Sequence, residues 1–181
     1  MPALLVILRD ILFLRRGPQD LPYSPLLLAI VAVVCVLISL WAGSILMPKQ
    51  TDTLLRVLSG LLLHLGFLYL LLNVLQHQAR FVQTAFASLL VDVLFTAVVL
   101  PLLPIFEPFS RNAPTPDNVN GVAAIASLLL LALGVWRIIV DAHILRAALE
   151  IRLLAALLIN TGLFFAAQVV LGALFGVSEG S

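Results

Sequence analysis

Long apolar runs alternate with short polar breaks along this chain, and five of the runs are long enough to cross a bilayer as helices. They cover 25–47 (PLLLAIVAVVCVLISLWAGSILM), 54–76, 82–103, 121–141 and 152–176. A helix needs about 20 apolar residues to traverse the hydrocarbon core. The runs are continuous and lack the period-two alternation of barrel strands, so helices are predicted. Between them stand MPKQTD, QHQARF, AHILRAALE and one long polar segment, LPIFEPFSRNAPTPDNVNG. The prolines of that segment, from Pro104 to Pro116, suit irregular surface chain. The pattern predicts an all-α polytopic membrane protein, a bundle of five transmembrane helices. No internal repeat is visible, and an odd number of spans disfavours a simple two-half transporter.

The first 24 residues follow a different pattern. The apolar stretch of MPALLVILRDILFLRRGPQDLPYSP is too short to span and is interrupted by Arg9 and Asp10. Its charges follow the apolar part and no small-residue cleavage site comes after, unlike a secretory signal. One reading is an interfacial amphipathic helix ending near Gly17-Pro18, with Arg9, Arg15 and Arg16 on the lipid surface. The other is a helix packed on the side of the bundle, because apolar residues surround it. The expected organisation is an N-terminal segment 1–24, a membrane domain 25–177 and a short tail 178–181.

Composition makes lipid the expected solvent. Of 181 residues, 62% are hydrophobic and 10% charged, against about 45–50% and about 25% in soluble domains. Mean hydropathy is +1.18. A net charge of +1 gives no basic surface for nucleic acid, so no nucleic-acid partner is expected. The single cysteine, Cys35, has no partner within the chain, and neither a metal site nor a cofactor is expected. HExxH, GxSxG and Walker sequences are absent, which argues against an enzyme.

Lysine and arginine set the expected orientation. Arg9, Arg15, Arg16, Arg80, Arg146 and Arg152 fall on one side, with Arg137 leaning the same way; Lys49, Arg56 and Arg111 fall on the other. The N-terminus is therefore expected in the cytoplasm and the C-terminus outside, in a bacterial inner membrane. On this reading Arg146, Glu150 and Arg152 mark a cytoplasmic turn.

Ionisable groups at membrane depth are costly, about 2.5–3.5 kcal/mol each on insertion scales, and default to functional hypotheses. His64 and Asp92 fall near the middle of the second and third spans. Meeting there, they form either a proton relay or an interhelical hydrogen bond that holds the bundle. Asn73, Arg137, Asp141 and Asn160 are expected to cluster toward the cytoplasmic side. Arg137 and Asp141 share a helix face four residues apart and can pair. The alternative is a polar pocket that holds a lipid headgroup or small anion on the arginine. Gly162, Ala166, Gly172 and Gly176 form a small-residue series in the fifth span that suits close helix packing, within the bundle or between copies.

The layout resembles the Yip family, five-span membrane proteins whose eukaryotic members interact with Rab GTPases in vesicle traffic. The resemblance is carried by five spans, the expected orientation and RRGPQDLPYSP ahead of the first span. DLPYSP, residues 20–25, is similar to an aspartate-leucine-tyrosine-glycine-proline element of that family, with Pro22 intervening and Ser24 in place of glycine. The family's long cytosolic N-terminal domain has no counterpart here. The resemblance implies a non-enzymatic integral membrane protein and draws attention to Asp20, Leu21 and Pro25.

Two functions are expected from the sequence. In the first, the protein organises membrane or binds partner proteins within a larger assembly, its partners being the bilayer and other membrane proteins or a second copy. In the second, it is a small transporter, channel or lipid-moving protein using His64/Asp92 and Arg137/Asp141.

Overall fold

A computed structural model of the chain describes residues 2–46, 52–106 and 121–175. Six helices dominate: α1 (Pro2–Leu12), α2 (Pro25–Leu46), α3 (Thr53–Val74), α4 (Phe81–Val99), α5 (Gly121–Leu149) and α6 (Leu153–Phe175). Single 3₁₀ turns at Pro18–Asp20, Gln78–Arg80 and Leu100–Leu102 join or extend them. Five stretches are long and apolar enough to cross a membrane: α2, α3, Gln78–Phe106 around α4, α5 and α6. No strand occurs among the described residues. The protein is an all-α integral membrane protein.

The fourth span departs from the expected 121–141. Its helix continues through AHILRAAL to Leu149, 29 residues in all, about 43 Å at 1.5 Å per residue against a hydrocarbon core of about 30 Å. His143 and Arg146 do not break it, because neither residue is a helix breaker and a long polar side chain near a span end can extend toward the interface. The extension carries Arg137 twelve residues from the helix end, into the middle of the bundle. α1, in contrast, stops short of Gly17-Pro18. Leu14 takes a left-handed conformation (φ 60°), and the N–H groups of Arg15 and Arg16 turn back to the Asp10 carbonyl at 2.7 and 3.3 Å. Gln76 and Glu150 end α3 and α5 in the same way, at φ 60° and 58°. His77 N–H reaches Leu72 O at 2.7 Å, and Ile151 N–H reaches Arg146 O at 3.3 Å. These turns satisfy carbonyls that a helix end would leave unpaired.

The spans close a ring: α2 packs on α3 and α4, α3 on α6, α6 on α5, and α5 on α4. Lipid supplies no hydrophobic drive between helices, so their cohesion comes from close van der Waals packing and small residues. Ala85, Ala87, Ala142, Ala148 and Ala156 are all fully buried, beside Leu72, Phe86, Val91 and Val140. Most of this dense packing lies in the half of the bundle bearing the α1–α2, α3–α4 and α5–α6 links, here termed the N-terminal face. The packing role expected of the fifth-span series is not met inside this chain. Gly162, Ala166 and Gly172 are exposed, and a Cβ at either glycine would meet nothing within 4 Å. Gly176 lies outside the described residues. α6 reaches the core through Ala156 instead.

The N-terminal segment is fastened to this dense half. Leu8 and Ile11 of α1 are buried, while Leu5, Val6 and Phe13 face outward. Asp10, 8% exposed, pairs with Arg9 at 2.9 Å and Arg16 at 3.2 Å. Within DLPYSP, the Asp20 carboxylate accepts Gly17 N–H at 3.3 Å and Leu21 is buried at 2%. The Ser24 hydroxyl accepts Leu27 N–H at 3.3 Å, and Pro25 begins α2, where its missing N–H costs nothing. The Gln83 amide donates to the carbonyls of Gln19 (3.2 Å) and Leu21 (2.6 Å). His143 Nε2 lies 3.0 Å from the Arg16 carbonyl and donates to it.

Candidate functional site

Polar residues one or two helical turns apart form stripes on three helices, and the stripes face one interior space. α2 supplies Cys35 and Ser39, α3 supplies Arg56, Gly60 and His64, and α4 supplies Ser88 and Asp92, with Arg137 entering from α5. They line a cavity of about 250 Å³ that runs from mid-span toward the end of the bundle where α2 stops and α3 starts. Gly60 leaves room there, with only the tip of Leu171 near its would-be Cβ, at 3.9 Å.

Asp92 is the hub of the cavity wall. One carboxylate oxygen binds the Arg137 guanidinium at 2.5 Å, and the other accepts the Cys35 thiol at 3.1 Å. Arg137 Nε lies 3.6 Å from Asp141 on its own helix. The expected i,i+4 pair thus forms, but the shorter contact runs between helices. Pairing offsets much of the cost of charge at this depth. His64 does not pair with Asp92; its Nε2 lies 2.9 Å from the Ser88 hydroxyl, one turn before Asp92 on α4. A direct His64–Asp92 hydrogen bond is therefore replaced by two neighbouring contacts in one cavity.

Arg56 stands at the other end of the cavity. Its guanidinium lies over the Phe175 ring at 5.1 Å and donates through Nη2 to the Phe175 carbonyl at 2.5 Å. Its Nε is buried with no hydrogen-bond partner, a donor with bonding capacity left over. Arg56 and Arg137 face one carboxylate in the lining, Asp92, and Asp141, outside the lining, offsets the second positive charge through its 3.6 Å contact with Arg137. A neutral set of charges with hydroxyl, imidazole and thiol groups around it suits a small polar guest better than a bare anion.

The other sequence candidates lie elsewhere. Asn73, at the end of α3, accepts a hydrogen bond from the Gln78 amide in the α3–α4 link. Asn160 is half-buried on α6 and is not among the residues lining the cavity. Arg9, Arg15 and Arg16 are exposed at the N-terminal face. Lys49 and Arg111, assigned to the opposite side, lie outside the described residues.

Sequence reasoning did not assign Cys35, Ser39, Arg56 or Ser88 to a polar site. Their signal was the i,i+4 spacing of Cys35 with Ser39 and of Ser88 with Asp92, and the i,i+8 spacing of Arg56 with His64. It also passed over Arg80, which binds Glu150 at 2.5 Å and the carbonyls of Ala147 (3.4 Å) and Ala148 (3.1 Å) at the end of α5. A cation there complements the negative end of the helix dipole. The hydrogen bond from Arg80, and then its charge, hold the Glu150 carboxyl below its ordinary range.

No family model matches the chain, and comparison with curated proteins and with solved structures returned no match.

Proposed function

We propose that the protein is a small carrier that binds a polar solute inside the membrane, the second of the two functions expected from the sequence. The observation that carries this reading is the central cavity, to which four helices contribute Cys35, Ser39, Arg56, His64, Ser88, Asp92 and Arg137. Its volume of about 250 Å³ lies below the roughly 300–1,000 Å³ of pockets for drug-sized ligands, so the guest is small. The Ser88–His64 pair offers it groups that both give and accept. The reading includes no bond-making chemistry and no cofactor. The N-terminal face, which holds Arg9, Arg15, Arg16, Arg80, Arg146 and Arg152, is proposed to face the cytoplasm of a bacterial inner membrane.

The test is reconstitution of the full chain in liposomes, with tracer uptake of glycine, urea, glycerol and lactate, a trapped pH dye and a lipid-scrambling readout. Uptake of at least one solute is expected, abolished in Arg137→Gln and Asp92→Asn. Silence in every readout, or uptake indifferent to both substitutions, would overturn the reading.

A second reading, organisation of membrane or partner proteins in a larger assembly, is favoured by the fastened N-terminal segment, which presents Arg9, Arg15 and Arg16 outward. Silence in the transport readouts together with stable co-purification of a membrane protein would support it. Kinship with the Yip family is likewise a proposal, supported by the five-span layout and by the anchoring of Asp20, Leu21 and Pro25.

A further inference from the structure

At the N-terminal face the turn after α1 and the last turns of α5 flank a second, open cleft of about 500 Å³. Arg15, Arg16, Gln19, His143, Arg146 and Glu150 form most of its walls. The charges there are unevenly committed. Arg16 is held by Asp10 at 3.2 Å, and Glu150 by Arg80 at 2.5 Å. Neither Asp10 nor Arg80 lines the cleft. Arg15 and Arg146 are exposed, and their guanidinium groups make no ion pair or hydrogen bond among the described residues. Two unneutralised guanidinium groups therefore border one space from two different elements.

The backbone that carries them is fixed. The left-handed turns at Leu14 and Glu150 set the two rims, and the contact of His143 with the Arg16 carbonyl ties one rim to the other. Arg80 occupies the last carbonyls of α5, which removes the negative helix end that would repel an anion. Leu5 and Val6 of α1, and Phe13 just after it, are exposed apolar side chains on the same N-terminal segment. Paired planar guanidinium forks fit the oxygens of a phosphate better than those of a monodentate anion.

We propose that this cleft binds a phosphate group between Arg15 and Arg146, with the Gln19 amide as a neutral donor. The group comes from inorganic phosphate or from the headgroup of a lipid such as phosphatidic acid, and the chemistry is shared. This site is independent of the central cavity.

The experiment uses the full chain in phosphatidylcholine nanodiscs. Inorganic phosphate is titrated calorimetrically in one arm. In the other, retention of phosphatidic acid over phosphatidylcholine is counted by native mass spectrometry after exchange in mixed micelles. Each of Arg15→Gln and Arg146→Gln is expected to weaken binding about fivefold, the equivalent of one basic group near anionic lipid, and the pair about twenty-fivefold. Arg152→Gln, an exposed cation outside the cleft, is expected to change nothing. Saturable phosphate binding lost in the double variant supports the site with a soluble ligand. Lost phosphatidic acid preference without phosphate binding supports it with a lipid ligand. Absence of both, an unaffected double variant, or an equal loss in Arg152→Gln would overturn the proposal. Thermal melts check that the variants fold; should the double variant fail to, the two single variants decide.

Discussion

Replacing Arg137 with glutamine leaves Asp92 and Asp141 facing each other at mid-span without their shared cation. Loss of one partner from a buried ion pair costs about 3–5 kcal/mol. Arg137 is 43% exposed toward its surroundings and Asp92 24%, so solvation in the cavity reduces the figure to about 2 kcal/mol. For a chain of this size each kcal/mol moves the melting point by about 2–4 °C, so Arg137→Gln is expected to melt about 4–8 °C lower. Cys35 is the one cysteine of the chain and is 6% exposed. A thiol-reactive dye therefore reports opening of the bundle during a thermal ramp in mild detergent. Adding Asp92→Asn should restore part of the loss, with a coupling of about 1 kcal/mol or more. That arm is read by circular dichroism, because Asp92 touches the thiol. An unchanged melt in Arg137→Gln, or strict additivity in the cycle, would refute the reasoning.

Other perturbations test separate parts of the fold. The Glu150 carboxyl lies below its ordinary range in the folded protein, so its contribution is present above the unfolded-state value and fades as pH falls through the lowered one. The melting difference between the native chain and Glu150→Gln should accordingly be visible at neutral pH and vanish in acid. Gln76 is exposed in a left-handed turn, and Gln76→Gly should stabilise by about 0.5–1 kcal/mol, read as a raised melting point. Ala142 is fully buried in the dense half, and Ala142→Leu should cost about 1–3 kcal/mol by overpacking, seen as a lowered melt. Asp10→Asn weakens the ion pairs to Arg9 and Arg16, and trypsin should then cut after Arg15 and Arg16 faster than in the native chain.

Much of the architecture was legible because apolar runs of spanning length leave the chain few choices. The starts of α2 at Pro25 and α6 at Leu153 fall within a residue of the reading from hydropathy. The end of α5 did not, since His143 and Arg146 look like a break in hydropathy while being compatible with a helix. That misplacement moved Arg137 to the membrane edge on paper and hid its contact with Asp92. The cavity itself was half-legible. His64, Asp92 and Arg137 stood out as charges in apolar surroundings, whereas Cys35, Ser39 and Ser88 are too weakly polar to stand out individually. Their spacing was the clue, but which stripes face one another is settled by the ring order of the helices, and hydropathy carries no information about that order. Arg56 was assigned to a boundary by its nearness to the polar break, although its stem reaches inward.

The difference in packing between the two halves of the bundle bears on how a guest could travel. Buried alanines of α4, α5 and α6 make a firm floor beneath the polar chamber, so the molecule has the form of a cup rather than a pipe. Passage from one side to the other would require that floor to part, and the helices that must separate are α4 and α5, tied by Asp92 and Arg137. On the proposed carrier reading, the ion pair that lines the chamber would also be the clasp on its exit, and a solute able to compete for either charge would loosen that clasp by arriving.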